Sequence, residues 1–399
     1  MRNRSTGAGS NQHVRDNGFR NVLSLGLVSF FTDVSSEMCL GLLPTFILQE
    51  LRGTLGILGF IEGLAESFSY TLRMVSGVIS DRFKRRKLFV FIGYSLSTVI
   101  KPVFAVAQSW VDVLVVRVGD RVGKGVRTAP RDALLSESIS GERMGEAFGL
   151  HRTLDQLGAI VGPLIASSLM LSFAMTIRTV FWLSFIPGFI AITILVAFVK
   201  ERRGEPRSSR FLIDVRRVLK ERFIILLIII GTFSMGAFNF SFILVKAGEL
   251  NIDEAFIPLV YGIVNVGHTI AAIPAGVLSD MFGKERLLII GYCIFLSSTL
   301  SLLLYGNPLY AYLIAFVYGV YFGIIETVQR AIIPSYVPED LRGTGYGLYY
   351  LATGSSFFVS NTVFGILWEN IGVQASVLYS VVTTTAAIIW MFLFLKKII

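Results

Sequence analysis

Residues 110–138 read WVDVLVVRVGDRVGKGVRTAPRDALLSES, an apolar membrane-helix run that also carries Arg117, Arg121, Lys124, Arg127 and Arg131. On a helix of about 100° per residue, Arg121 lies about 40° to one side of Arg117. Lys124, Arg131, Asp120 and Arg127 follow at about 20°, 40°, 60° and 80° to the other side. The charges share about a third of the circumference, and Val113, Val115, Val116, Val118 and Val122 take most of the rest. A charge at the bilayer centre costs about 2.5–3.5 kcal/mol even on the lenient insertion scale. Several on one helix must therefore line a wet cavity or meet acids on other helices.

The whole chain decides between a membrane helix and an amphipathic soluble one. Its 399 residues are 53% hydrophobic and 16% charged, with a mean hydropathy of +0.68. That is too apolar for a soluble globular domain of this size. With about 20 apolar residues per span plus a loop, the length holds about twelve spans. The net charge of +9 does not point to nucleic acid, because the basic residues gather in alternate loops. Arg2, Arg4, Arg15 and Arg20 precede the first span, and Arg82, Lys84, Arg85, Arg86 and Lys87 follow the second. Lys200 to Arg222 is a basic stretch, and Lys284, Arg286, Lys396 and Lys397 complete the pattern. The positive-inside rule then places both termini in the cytoplasm of a multi-pass cell-membrane protein. Residues 1–20 have no apolar h-region and read as a cytoplasmic tail, not a cleaved leader. Cys39 and Cys293, with His13, His151 and His268, form no disulfide or metal pattern, and no cofactor is expected.

The first six spans are expected near 21–48, 55–80, 88–106, 112–138, 145–171 and 176–199. The remaining six fall near 223–245, 257–279, 287–304, 309–333, 344–369 and 373–395. A basic linker, 200–222, divides the chain into halves 21–199 and 223–399, and 211–219 could form a short helix on the membrane face. Asp33 and Glu37 lie one turn apart in the first span. Glu62, Glu66, Ser69, Arg73, Ser76 and Ser80 draw one polar stripe down the second. His151 and Asp155 sit in the fifth, ahead of Gly158-Ala-Ile-Val-Gly162-Pro163. The second half is poorer in charge and rich in aromatic residues. Asn239, Tyr261, Asn265, His268, Tyr321, Phe322, Glu326 and Tyr349 are its substrate-binding candidates.

The chain also repeats itself. Gly77-Val-Ile-Ser-Asp81-Arg82-Phe-Lys-Arg85-Arg86 aligns with Gly276-Val-Leu-Ser-Asp280-Met-Phe-Gly-Lys-Glu at an offset of 199 residues. The same offset pairs Gly63 with Gly262, Arg131 with Arg330 and Arg143 with Arg342. Such duplication marks a transporter layout whose substrate site lies between the halves.

These segments resemble the major facilitator superfamily. Gly77 to Arg86 is similar to its loop 2–3 signature, with Lys84 where a second Gly is usual, and Gly276 to Arg286 is the echo in the second half. Arg121-x-x-x-Gly125 resembles its fourth-helix signature, and Gly158-x-x-x-Gly162-Pro163 the fifth-helix pattern of antiporters. The resemblance implies an all-α integral membrane protein of twelve transmembrane helices in two pseudo-symmetric six-helix bundles. It implies gating by Gly77, Asp81, Arg82, Arg85, Arg86, Gly276, Asp280 and Arg286, and bending or packing at Gly158, Gly162 and Pro163. It also implies a central cavity lined by helices one, four, seven and ten. There Asp33 and Glu37 are expected to face Arg117, Arg121 and Lys124.

The charge network expected to carry coupling is Asp33, Glu37, Glu62, Glu66, Arg73, Arg117, Asp120, Arg121, Lys124 and Asp155. A carboxylate poised between burial and neighbouring bases can take and release a proton. The reading is a secondary transporter, not an enzyme: proton-coupled efflux of a small amphipathic organic solute by a monomer in the lipid bilayer. An organic-anion, siderophore, metal or lipid transporter of the same fold stands as the alternative, and a non-transporting receptor as a distant one.

Overall fold

The computed structural model describes residues 7–83, 85–138, 143–201, 215–338 and 341–397. Side chains are described from residue 18 onward within these ranges, except at 74, 77–83 and 216. The described residues are helices and short connections, with no strand among them. In a bilayer this is required, because a helix satisfies every backbone polar group within its own segment.

The first half consists of six helices. α1 is Gly7–Leu40, prolonged by short turns to Glu50, and α2 is Leu55–Phe83. α3 is Arg86–Ile100 with a tighter turn over Lys101–Val106, α4 is Trp110–Ser138, and α5 is Met144–Phe173. α6 is Ile177–Leu183 and Phe185–Phe198. The second half repeats the plan. α7 is Glu221–Gly236 and Ser241–Glu249, α8 is Ile257–Phe282, and α9 is Lys284–Ser301. α10 is Leu309–Ile332, α11 is Arg342–Asn370, and α12 is Val373–Leu395.

The expected spans meet these helices within about one turn at every end but one. α1 starts at Gly7, inside the segment read as a tail. Nine stretches among the described residues are long and apolar enough to cross a membrane. The other three helices are α2, α4 and α9, which carry charges: the polar stripe, the bases of the opening stretch, and Lys284, Glu285 and Arg286. Of the linker, 202–214 lies outside the described residues, and the expected short helix is present as the single turn Val215–Val218.

Chain reversals are set locally. Thr176 caps α6 by accepting from the Thr179 amide at 3.3 Å. Gly283 (φ 95°) joins α8 to α9 and Gly372 (φ 125°) joins α11 to α12, in backbone regions that glycine adopts without a Cβ clash. Gly283 falls at the repeat position of Lys84, which lies outside the described residues.

Within the first half α1 packs on α5, and α4 packs on α2 and α3. Within the second α10 packs on α8 and α9, and α7 packs on α12. Small residues permit the closest of these crossings. A Cβ on Gly158 would collide with the Phe30 carbonyl, and one on Gly162 would lie 2.8 Å from the Val34 oxygen. The outer faces are apolar, as with Val99, Val115, Ile273 and Leu378, and suit contact with lipid.

The halves meet along α2–α11 and α5–α8. Contact is tight at the end away from the basic loops. There the Gly56 amide donates to Glu369 at 2.9 Å, Gly59 lies against the Asn361 carbonyl, and Ser167 donates to the Ala255 carbonyl. At the basic-loop end, a Cβ on Gly145, Gly149 or Gly343 would meet open space. A vestibule lined by Arg127, Arg131, Asp132 and Phe148 lies between the cavity and the basic loops.

Candidate functional site

The charged side chains separate into a sealed cluster and a cavity wall. Arg117 of α4 donates through Nε and Nη2 to Glu62 of α2 at 2.9 and 2.7 Å, and Nη1 lies 3.5 Å from Asp120. Arg117 and Glu62 are 0% and 1% exposed, so the pair is closed to solvent. Beside it, Lys101 of α3 donates to Ser36 of α1 at 3.0 Å. The expectation that Asp33 and Glu37 face Arg117 is corrected here. Arg117 points to the α2 stripe and does not line the cavity, and neither do Glu62 and Asp120. A bidentate guanidinium–carboxylate pair is the geometry that best compensates two buried charges.

The other seven members of the expected network, Asp33, Glu37, Glu66, Arg73, Arg121, Lys124 and Asp155, line a cavity of about 190 Å3 between the halves. Arg121 is paired with Glu66 at 3.1 Å, again with α2 and not α1. Asp155 accepts from Ser29 at 2.5 Å and from Arg152 at 3.2 Å. Asp33, Glu37, Arg73 and Lys124 have no ion pair within 4 Å among the described residues. Glu37 keeps one buried oxygen, Oε2, without a hydrogen-bond partner, and Tyr261 of α8 is within hydrogen-bonding reach of its carboxylate.

All eight substrate candidates of the second half line the same cavity. Several are already engaged. Asn265 donates to the Ala159 carbonyl at 2.8 Å, Tyr349 donates to Gln329 at 3.1 Å, and Tyr321 packs on Phe295 with centroids 4.6 Å apart. Glu326 is the hub. It accepts from Arg330 at 2.6 Å, lies 2.9 Å from His268 Nε2, and takes Arg152 of the first half at 3.2 Å. Arg152 thus joins Asp155 to Glu326 and ties the halves where the closed region gives way to the opening.

α7 is interrupted beside this cavity, between Gly236 and Ser241. Broken backbone at membrane depth persists only where its polar groups find partners or line a cavity. Here the Asn239 amide donates to Asn361 at 2.7 Å, and Asn239 Oδ1 accepts from the Ser241 amide at 2.9 Å. Ser380 and Tyr318 donate to the freed carbonyls of Gly236 and Phe238, each at 2.6 Å. Ala237, Asn239 and Phe240 then present the break to the cavity. Discontinuous helices of this kind commonly form transporter sites.

The loop residues are less committed. The side chains of Gly77, Asp81 and Arg82 lie outside the described ones. Arg85 and Arg286 are exposed, and Arg86 is paired with Glu137 of α4. Asp280 is 76% exposed and lies 3.7 Å from Lys284, one turn on. A Cβ on Gly276 would rest 3.8 Å from the Thr327 methyl. Gly158 and Gly162 hold α5 against α1, and Pro163 faces Gly262 of α8.

The sequence reading missed Arg152, Tyr70, Gln156 and the α7 break. Arg152 had a signal, an i, i+3 match to Asp155, masked by its place near the expected start of a span.

Comparison with known proteins agrees with this architecture. The sequence profile of the Major Facilitator Superfamily matches residues 25–246 and 224–398. An uncharacterized MFS-type transporter of Methanocaldococcus jannaschii is 31% identical over 357 residues, covering 88% of this chain and 89% of the relative. The multidrug resistance protein MdtG of Dickeya zeae is 25% identical over 287 residues, 68% of each chain. Among solved structures, a mutant of the nucleoside transporter NupG superposes with a TM-score of 0.79 at 13% identity, covering 94% of this chain and 99% of that one. A mutant of the peptide transporter POT gives 0.77 at 13%, covering 94% and 93%. Its twelve helices in two bundles, its broken α7 at a central cavity and the profile match over nearly all its length place this multi-pass membrane protein in the Major Facilitator Superfamily: it is a transporter and not an enzyme.

Proposed function

We propose that the chain is a proton-coupled exporter of a small organic, amphipathic solute, working as a monomer in the cell membrane with both termini in the cytoplasm. The halves, 21–199 and 223–399, rock about the cavity, and the cytoplasm-facing form is the one described above. The loop residues Gly77, Asp81, Arg82, Arg85 and Arg86, with Gly276, Asp280 and Arg286, gate the exchange between forms. The export direction is supported by the likeness to a multidrug resistance protein.

One observation carries the coupling. Asp33 and Glu37 are the acids that line the cavity with no ion pair among the described residues, whereas Glu66, Asp155 and Glu326 are bound to arginines. An unpaired carboxylate gains or loses a proton without breaking a bridge, so it can answer the pH on whichever side the cavity opens. The aromatic wall of the second half accepts the apolar part of the solute.

The test is reconstitution into vesicles holding a pH-reporting dye. A solute gradient should move protons with the wild type and cease to do so with Asp33→Asn. Lumen pH that ignores every organic solute tried, or an Asp33→Asn variant that still couples, removes the proposal.

A further inference from the structure

The inner cavity leads into a wider vestibule of about 380 Å3 toward the basic loops. Seven side chains line both spaces and so form the throat between them: the bases Arg73, Lys124, Arg152 and Arg330, and the acids Asp33, Asp155 and Glu326. Most are mutually engaged. Arg152 takes Asp155 and Glu326 at 3.2 Å each, and Arg330 takes Glu326 at 2.6 Å. Arg73, Lys124 and Asp33 remain without an ion pair among the described residues, two cations to one carboxylate.

The vestibule does not offset the surplus. It adds Arg127 and Arg131 against Asp132 alone. Arg131 is bound to Asp132 at 2.9 Å, and Arg127 donates to Ser97 at 2.7 Å and lies over the Tyr94 ring. Glu37 sits farther in, beside Tyr261, and does not reach the vestibule. Lys124 and Arg73 line the same throat, and Arg73 Nε is buried with no hydrogen-bond partner. Two cations on one throat without ion pairs of their own favour an anion between them. An oxyanion meets both, since the guanidinium offers a planar fork and the ammonium a compact point charge. Tyr70, Tyr318, Tyr321, Phe322 and Phe357 line the cavity just beyond.

We infer that this throat is an oxyanion site, and that the solute is a small organic anion whose carboxylate or phosphate rests on Lys124 and Arg73 while its apolar part enters the aromatic cavity. The inference rests on the transport reading for the word solute, but its test is a binding measurement that needs no flux. An anionic lipid headgroup shares the chemistry, so the lipid is varied as a separate arm.

The protein is placed in nanodiscs of phosphatidylcholine and titrated with benzoate, phenyl phosphate, benzamide and benzylamine. The two anions should bind at least about tenfold more tightly than the neutral and cationic probes. Lys124→Gln and Arg73→Gln should each weaken phenyl phosphate by about tenfold or more. Lys124→Arg should retain binding, and Arg143→Gln, at an exposed helix end, should leave it unchanged. Benzamide or benzylamine binding as tightly as benzoate overturns the inference, as does anion affinity that survives both Gln variants. So does the absence of anion binding in phosphatidylcholine together with a Lys124-dependent response to phosphatidylglycerol, which would assign the site to lipid. If Lys124→Gln does not fold, Arg73→Gln and the wild-type comparison of benzoate with benzamide still decide. Anion binding that persists in a protein that moves no solute would sink the transport reading and leave the site standing.

Discussion

The α2–α4 seam of the first half and the α8–α10 seam of the second occupy equivalent places at the 199-residue offset, and they are built in different proportions of charge and glycine contact. Glu62 and Glu66 of α2 fall at the positions of Tyr261 and Asn265 in α8. Asp120 and Lys124 of α4 fall at those of Gly319 and Gly323 in α10. The first seam is closed by the pairs Glu62–Arg117 and Glu66–Arg121. The second is closed chiefly by backbone contact, with Gly319 against the Val264 carbonyl and Gly323 against that of His268, and its one charged contact among the described residues is His268 with Glu326 at 2.9 Å. One helix crossing therefore has two solutions. Glycine contact gives a close crossing with that single charged contact, His268 with Glu326, at its cavity side. Ion pairs give a charged seam, with Asp33 and Lys124 beside it outside any ion pair among the described residues; on the proposed reading these are the groups that answer a proton or a charged solute.

The comparison can be broken from either side. The largest effect is expected at the sealed pair. Glu62→Gln leaves Arg117 buried without its partner and should cost about 3–5 kcal/mol, read as lowered resistance to denaturant in detergent. Replacing both, as Glu62→Leu with Arg117→Met, should recover most of the loss. If the single variant is as stable as the wild type, the pair is not the closure of that seam.

Overpacking tests the glycine seam. Gly319→Val would drive a side chain into the Val264 carbonyl, at a cost of about 1–3 kcal/mol, visible as a lower Tm. The same substitution at Gly343, which faces open space, should leave the Tm in place.

The bridge between the halves should matter little to stability. Arg152 is 46% exposed, and solvent-screened bridges contribute about 0–1 kcal/mol. Its effect should appear in transport, where Arg152→Gln frees Glu326 and Asp155 from each other and slows flux while the melt hardly moves. A large fall in Tm would instead make Arg152 a structural tie. The smallest difference is a division of labour: Arg121→Gln should stop flux while sparing solute binding more than Tyr321→Ala does.

Nine of the helices were legible because apolar length is a direct signature of a bilayer span, and α2, α4 and α9 were legible from the alternation of spans and basic loops. The polar stripe of α2 and the clustered bases of α4 were legible as faces. Which face meets which was not. An i, i+4 spacing gives the direction of a side chain on its own helix and nothing about its neighbour, so Arg117 and Arg121 were matched to α1 when the fold turns them to α2. The 199-residue repeat marked Arg131 and Arg330 as equivalents without showing that Arg330 holds Glu326. The α7 break carried no proline and a single glycine, Gly236. Its partners Asn361, Ser380 and Tyr318 are remote in sequence, and only the packed chain brings them to it.

The central claim is that protonation in the first half shifts the balance between the two openings. Spin labels on Gly149→Cys and Gly343→Cys report it most directly, after Cys293 is replaced by Ser; both sites face open space at the basic-loop end, and Cys39 is buried. Pulsed electron–electron distance measurements in nanodiscs should give two separations whose proportions change between pH 5 and pH 8, and Asp33→Asn should fix one proportion at both. A single separation at every pH, or an Asp33→Asn variant that shifts as the wild type does, would contradict the account.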